Sequence, residues 1–368
     1  MDLFSTDLRR FYVSVALRHF GLALITLFVP AYLYKELGFS VQQVLVYYLI
    51  QEISSTLIIP FAGKFIAKFG TRNAMLLSVP FSFLTYLFMP LSQNLLFLLG
   101  ATISRALFAS IYFLSFHVYL ARNSKEGRIG EATGKAWSVL RLAVLAGPLT
   151  GGVILQFVGY SYAFGMLVVL QLLSVIALPK NAIIEKAPSF FGMVGKVNWR
   201  ESFSWFAQGV AIEAGDFLWG LYAFTIVLGY AYLGALSFVA GLAIAIFSLW
   251  LGKKTDHISR DVLLSISWLL GGISWFGRAI FGGIAGILFG NISGEAAFMT
   301  METPIMYKIY DEGRKKNDLL SRLVVREVFL RLGIIPVFIL AWFLPFEYVF
   351  AGIGIFFLIL FPIYFSKK

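Results

Sequence analysis

The chain consists of apolar runs long enough to cross a membrane, separated by short basic clusters. A transmembrane helix needs about 20 mostly apolar residues, and the sequence contains twelve such runs. Its residues are 59% hydrophobic and only 13% charged, about half the charged fraction of a typical soluble domain. This pattern predicts an all-α integral membrane protein with twelve transmembrane helices. The predicted spans are 11–34, 41–62, 73–91, 94–120, 132–157, 160–179, 202–228, 231–251, 262–282, 284–307, 319–344 and 347–365.

Lysine and arginine lie almost entirely on one side of this predicted topology. Of the 30 such residues, only Lys35 and Arg278, the latter near the end of its span, are counted on the other side, and five lie deep inside spans. Cytoplasmic loops of membrane proteins are enriched in these two residue types. We therefore expect both termini in the cytoplasm and the protein in the plasma membrane. The net charge of +11 arises from these loop clusters, so it does not indicate nucleic-acid binding.

Several classes of protein are disfavoured by what the sequence lacks. It has no cysteine and three histidines, and it contains neither an HExxH motif nor a P-loop of the form GxxxxGK[ST]. These motifs carry zinc hydrolase chemistry and nucleotide binding, respectively. We therefore expect no enzyme activity, no metal, no cofactor and no direct use of ATP.

Short sequence features recur about half a chain length apart. Together they predict two pseudo-symmetric six-helix halves, residues 1–179 and 201–368, joined by a cytoplasmic loop at 180–200. Parallel repeats of this kind form transporters in which the substrate binds near the bilayer midplane, between the halves. The recurring features are Gly63-Lys64 with Gly252-Lys253, Ile103-Ser104 with Ile292-Ser293, Leu140-Arg141-Leu142 with Leu330-Arg331-Leu332, and Pro148 with Pro336.

Ionisable side chains inside the predicted spans are candidates for a substrate and proton cavity, because such residues are costly in a bilayer and usually functional. Burial favours the neutral form of a carboxyl group, so an acid on span seven or ten is predicted to load and release a proton, with Glu213 first. Arginine suits bidentate binding of a carboxylate or phosphate, which makes Arg105 and Arg141 candidates for contact with an anionic substrate. The full candidate set is Glu213, Asp216, Glu295, Arg105, Arg141, Glu52, Arg18, His19 and Trp219.

The alternative for these charges is that they pair with one another and only hold helices together. Under that interpretation Glu52 pairs with Arg105 or Arg141, and Glu327 pairs with Arg326 or Arg331. Both interpretations stay open at the level of sequence.

Three motifs resemble those of the major facilitator superfamily, over essentially the whole chain. The family's turn signature, Gly-x-x-x-Asp-Arg-x-Gly-Arg-Lys, is matched in part at two turns, and its Gly-Pro-x-x-Gly-Gly motif is intact in span five. In span four the family's arginine is present as Arg105, but Ser110 replaces the glycine that follows. The matching positions are Gly63, Lys68, Gly70 and Arg72 in the first turn, Gly252, Asp256 and Arg260 in the second turn, and Gly147, Pro148, Gly151 and Gly152 in span five.

The resemblance implies roles for these motifs. The turns are expected to latch one half to the other, with Asp256 near the start of span five. The first turn is expected to latch more weakly through Lys68 and Arg72, with Glu327 as a partner. The span-five motif implies a bend and close helix packing, and in the family it is commoner among exporters that work by proton antiport.

These observations together predict a monomeric secondary active transporter that moves a small organic solute by alternating access. Proton-coupled export is the favoured mode, with H⁺ as coupling ion and membrane lipids as surroundings. The alternative within this class is an importer of a small metabolite, by symport or uniport. From another class, a lipid flippase or scramblase, or a membrane protein that does not transport, fits the same pattern.

Overall fold

The computed structural model describes residues 6–123, 144–213, 217–227, 229–255 and 259–365. Within these ranges the regular secondary structure is helical, without strands, as the apolar runs predict. We label the longer helices α1 to α12. They are Thr6–Ala23, Val41–Phe88, Leu95–Asn123, Val144–Phe157, Tyr160–Ile176, Trp199–Glu213, Trp219–Val227, Tyr230–Thr255, Arg260–Ile280, Gly283–Lys315, Leu319–Phe343 and Phe346–Phe365.

Length and hydropathy qualify five helical stretches within the described residues to cross a bilayer. They are Asp7–Glu36, Val41–Leu91, Leu95–Asn123, Asp261–Ile280 and Gly283–Lys315. Shorter apolar helices accompany them, among them α4 and α5. The prediction of an all-α membrane fold is confirmed, whereas the division at residues 180–200 into two halves stays a prediction.

Helix α2 contains the second and third predicted spans, joined at a break. Gly70 interrupts it with φ 79° and ψ 162°, a conformation that glycine adopts at little cost because it has no Cβ atom. The following residue is bound from both sides, since the Thr71 amide donates to the Ile183 carbonyl at 2.9 Å and the Ile183 amide donates to the Thr71 hydroxyl at 3.1 Å. The break therefore turns the chain back and seats the turn against the central segment 177–200.

The first predicted span is interrupted inside the protein. After α1 ends at Ala23, a 3-10 turn at Thr26–Phe28 and a π-helical turn at Tyr32–Glu36 complete the first span. Irregular backbone at membrane depth is tolerated where protein covers it, and Leu24, Ile25 and Phe28 are fully buried. This interruption lies beside the cleft described below.

The glycines of the span-five motif bring α4 into direct contact with two other helices. A Cβ atom on Gly151 would overlap the Leu24 carbonyl, and one on Gly152 would overlap the Tyr230 carbonyl. Only a residue without a side chain fits these positions, as in other closely packed membrane helices. Helix α4 is thus wedged between the end of α1 and the start of α8, while a role for this motif as a hinge stays a prediction.

Candidate functional site

Polar contacts between α3 and α10 close one end of the helix bundle, which we call the basic end. His117 Nδ1 lies 2.6 Å from the Tyr310 hydroxyl, and both side chains are buried. Nearby, Arg314 Nη1 donates to the Ala121 carbonyl at 3.1 Å. Arg122 Nη2 donates to Asn317 Oδ1 at 3.0 Å. This is the end at which the sequence concentrates lysine and arginine.

A second set of contacts closes the opposite end. The Tyr230 hydroxyl, at the start of α8, donates to Glu36 Oε1 at 3.0 Å. Lys35 Nζ lies 4.9 Å from the centre of the same tyrosine ring, and the Tyr230 amide donates to Gln156 Oε1 on α4 at 3.2 Å. One aromatic residue therefore ties the segment after α1 to both α4 and α8.

Between the two ends, a buried ion pair joins α2 to α11. Arg331 Nη1 lies 2.8 Å from Glu52 Oε2, and Gln51 Nε2 donates to the other carboxylate oxygen of Glu52 at 2.9 Å. Glu52 is completely buried. The expected partner, Arg105 or Arg141, is thus replaced by Arg331, because α2 packs beside α11, where Gly63 comes close to Val324.

Next to this pair lies a narrow cleft formed by the segment after α1, by α2 and α3, and by Phe217. It leaves about 10 Å³ for the centre of a water-sized sphere, which is room for about one water molecule. The residues that line it are Thr26, Val29, Tyr47, Tyr48, Gln51, Thr85, Tyr86, Met89, Arg105 and Phe217. Of these, only Arg105 is charged, so we call this space the Arg105 cleft.

The guanidinium of Arg105 has no hydrogen bond and no carboxylate partner within the described residues, and its Nη1 atom is buried. Its recorded contact is with the Phe108 ring, whose centre is 5.3 Å from Cζ. Arg18, by contrast, is bound by neutral groups, donating to Ser78 Oγ at 2.9 Å and to Ser174 Oγ at 3.2 Å. It also lies 4.4 Å from the centre of the Tyr112 ring, and His19 packs beside that ring. Arg105 therefore leaves an excess of positive charge in the cleft among the described residues.

The opposite imbalance occurs in a group we call the acidic cluster: Gln208, Glu302, Arg326 and Glu327, from α6, α10 and α11. Arg326 Nη2 lies 3.1 Å from Glu302 Oε2, and Arg326 Nη1 lies 2.5 Å from Glu327 Oε1, the pairing expected for Glu327. The Gln208 amide donates to Glu302 and accepts from Arg326. All four side chains are buried. Two carboxylates against one guanidinium leave one uncompensated negative charge.

The candidate set drawn from the sequence contains neither Glu302 nor Gln208. No spacing rule links residues on α6, α10 and α11. A buried glutamine on an apolar helix is the one signal that could have drawn attention to position 208, because polar groups inside a membrane need partners.

Other candidates from the sequence lie away from the cleft or cannot be placed. Trp219 Nε1 donates to Asn291 Oδ1 at 2.7 Å, and its ring packs under Arg278 at 4.9 Å. Glu295 is exposed on α10. Glu213 ends α6, with its side chain outside the described part of the structure, and Asp216 and Arg141 lie outside the described residues altogether.

The turn residues are placed only in part. Arg72 Nε donates to the Pro179 carbonyl at 3.1 Å, and Lys68 is exposed, 5.1 Å from the centre of the Phe69 ring. The expected latch to Glu327 is not formed, because Arg326 occupies that carboxylate and the break at Gly70 turns Arg72 towards the central segment. In the second turn Gly252 lies within α8 and Arg260 begins α9, while Asp256 falls outside the described residues.

An all-helical membrane fold closed at both ends, with a charged cleft between them, is the architecture of a membrane transporter. Residues 11–317 match the sequence profile of the Major Facilitator Superfamily, and the chain belongs to this superfamily. Among curated proteins, none matches the sequence.

Two transporters are among the solved structures that share the fold. One is a bacterial homologue of the human drug peptide transporters PepT1 and PepT2, with a TM-score of 0.74 and 13% identity, over 98% of this chain and 97% of that one. The other is a POT family transporter in complex with 5-aminolevulinic acid, with a TM-score of 0.69 and 12% identity, over 98% and 95% of the two chains. At such identities the similarity is one of fold alone.

Proposed function

We propose that the protein moves a small organic solute across the membrane by alternating access, coupled to protons and in the direction of export. The observation that carries the proposal is the arrangement of two separate closures around one charged cleft. The basic end is held by contacts between α3 and α10, and the opposite end by contacts of Tyr230. Because the two sets share no residue, either end can open while the other stays closed.

Proton coupling is proposed on the charge imbalance of the acidic cluster. An unpaired buried charge is strongly unfavourable, and one proton on Glu302 or Glu327 would remove it. The groups that face this cluster are Tyr310, from the same helix as Glu302, and His117, from α3. These two also form the buried contact of the basic end. Loading or releasing a proton would therefore change the charge directly beside one closure.

The direction of transport rests on the span-five motif. Its glycines pack α4 against α1 and α8 at the opposite end, and the resemblance associates this motif with proton antiport and export. The solved structures of similar fold include a transporter bound to 5-aminolevulinic acid, which supports a small organic solute as cargo. Import of such a solute is the alternative to be separated by experiment.

A second candidate, lipid translocation, is favoured by an apolar groove between α2 and α11. The groove has a volume of about 200 Å³ and lies on the two helices that carry Glu52 and Arg331. Its lining residues are Leu45, Leu49, Phe338, Ile339, Trp342 and Phe343. Movement of a fluorescent phospholipid between leaflets of proteoliposomes, faster than in protein-free liposomes, would favour this candidate over solute transport.

The natural absence of cysteine permits a test that needs no known substrate. Spin labels at Asn123 and Asn317 report on the basic end, and labels at Lys35 and Tyr232 report on the opposite end. All four side chains are exposed. We expect each pair to show a short and a long distance by pulsed electron paramagnetic resonance, and we expect acid and alkaline pH to shift the two pairs in opposite senses. One unchanging distance at both ends would contradict alternating access.

The coupling residue is tested in the same labelled proteins. Glu302→Gln is expected to abolish the pH dependence of the distances, whereas Asp311→Asn, on the same helix but in an exposed pair with Lys315, should retain it. Glu213→Gln and Glu295→Gln test the acids favoured from the sequence. If the pH response is lost in either of these variants but kept in Glu302→Gln, the proton-binding residue is that acid and not Glu302. Once a solute is identified, efflux from preloaded proteoliposomes that accelerates with acid outside would support export.

A further inference from the structure

We propose that the Arg105 cleft recognises a small organic anion that carries an aromatic or similarly flat ring. The inference rests on the proposed transport function and names the chemistry of its cargo. It follows from the state of Arg105, from the walls of the cleft, and from the position of the cleft between the two closures.

The first argument is the uncompensated charge of Arg105. Among the described residues no carboxylate lines the cleft, and Arg105 makes no hydrogen bond there. The nearby acid Glu52 is already engaged by Arg331. Guanidinium groups form paired hydrogen bonds with carboxylate and phosphate groups. An anionic ligand would therefore supply the acceptor that Arg105 lacks among the described residues. A cationic ligand would be repelled.

Arg18 shows what a structural arginine looks like in this protein. It is completely buried, and Ser78, Ser174 and the Met75 carbonyl accept its hydrogen bonds. Helices α1, α2 and α5 are thereby joined through one side chain. Among the described residues Arg105 joins no helices in this way, so its charge is available to a ligand in the cleft.

The second argument is the chemistry of the walls. Aromatic rings and hydroxyl groups surround the guanidinium: Tyr47, Tyr48, Tyr86, Phe217, Thr26 and Thr85. Aromatic side chains bind flat rings by offset stacking or edge contacts, and a few convergent polar groups orient a ligand in a mostly apolar pocket. A ring that bears one anionic group satisfies both parts of this lining.

The third argument is that the cleft is built to change size. In this conformation it admits little beyond one water molecule, yet one of its walls is the interrupted segment at Thr26, and another includes Phe217, which lies in a π-helical turn. Tyr48 extends from the cleft to Phe338 on α11, and Glu52 lies one helical turn further along α2. Entry of a ligand would therefore displace α2 relative to α11, the two helices joined by the ion pair of Glu52 and Arg331.

The binding test uses four matched probes with the detergent-purified full chain: benzoate, benzylamine, benzyl alcohol and acetate. Two larger anions, 1-naphthoate and indole-3-acetate, extend the ring size. We expect ring anions to raise the thermal unfolding midpoint, and benzylamine and acetate to leave it unchanged. Arg105→Gln should weaken the apparent Kd for ring anions about tenfold or more, as loss of a charge-assisted pair does. Arg105→Lys should retain part of the affinity, and Lys186→Gln, at an exposed position outside the cleft, should retain all of it.

A second measurement needs no ligand and separates a binding role from a structural one. Without ligand, Arg105→Gln is expected to unfold at the same temperature as the parent or higher, because it removes a charged group whose buried Nη1 atom has no partner among the described residues. Arg18→Gln is expected to unfold at a lower temperature, since three acceptors lose their donor. The proposal is overturned if Arg105→Gln destabilises the protein as Arg18→Gln does, if benzylamine binds as well as benzoate, or if none of the ring anions shifts the midpoint.

The two proposals can fail separately. Ring anions that bind through Arg105 but leave both label distances unchanged would contradict transport and leave the recognition of anions intact. Label distances that respond to pH while no ring anion binds would overturn the anion proposal alone.

Discussion

The Arg105 cleft and the acidic cluster place arginine in opposite circumstances within one protein. Arg326 is held by two carboxylates and an amide, whereas Arg105 has no polar partner in the described residues. The cluster is one positive charge short, and the cleft has one in excess. The comparison teaches that the type of residue in a span says less than its set of partners. A satisfied arginine organises helices, and an unsatisfied one is available to a ligand.

The largest expected effect is on the acidic cluster. Arg326→Gln leaves Glu302 and Glu327 buried without a cation, which should cost about 3–5 kcal/mol in the free energy of unfolding. The measurement is SDS titration of the protein in mixed micelles. Arg105→Gln, the same substitution in the cleft, is the control and should not destabilise the protein. Equal losses in the two variants would break the comparison.

A smaller effect, of different sign, is expected from Glu302→Gln. This change removes the excess negative charge and keeps the shape of the side chain, so the free energy of unfolding near neutral pH should stay within about 1 kcal/mol of the parent or rise. The double variant Glu302→Gln with Arg326→Gln should recover part of what Arg326→Gln loses. The same SDS titration decides both points. A loss in Glu302→Gln as large as that in Arg326→Gln would show that the cluster has no charge imbalance.

The smallest effect is expected at the contact of Tyr310 with His117, beside the acidic cluster. Tyr310→Phe removes the hydrogen bond to His117 and should cost about 1 kcal/mol, the usual net value of one hydrogen bond. Because this contact closes the basic end, we also expect the long distance between labels at Asn123 and Asn317 to become more populated. Tyr232→Phe, at an exposed position, serves as the matched control. An unchanged distance distribution in Tyr310→Phe would remove this contact from the closure.

Hydropathy predicted the membrane class and the positions of most helices, but not their continuity. The second and third predicted spans are both within α2, joined at Gly70, and the first span is interrupted. A hydropathy window averages over about 20 residues, so it responds to the length of an apolar run and not to a break in the backbone. Gly70 was recognised as a motif residue, yet its positive φ depends on the turn being seated against residues 182–184.

The sequence predicted which charged residues belong to the candidate site, but it did not predict which side chains pair with them. Glu52 and Arg105 were chosen because charged side chains in a bilayer are costly; Arg105 lines the cleft, and Glu52 follows Gln51, which also lines it. Their partners were not predictable. Glu52 binds Arg331, on a helix far away in the chain, because ion pairing depends on which helices are neighbours and on their rotation about their own axes.

Local chemistry is enough to establish that this chain is a helical membrane protein of the Major Facilitator Superfamily with charges inside its spans. The length of apolar runs, the placement of lysine and arginine, and short motifs are all properties of residues that are neighbours in sequence. They can therefore be recognised without a structure. Which arginine is satisfied, which carboxylate lacks a cation and which contacts close each end depend on atoms from helices distant in sequence. Helix packing sets the distances between these atoms. It therefore decides that Arg326 is paired in the acidic cluster while Arg105 faces the cleft.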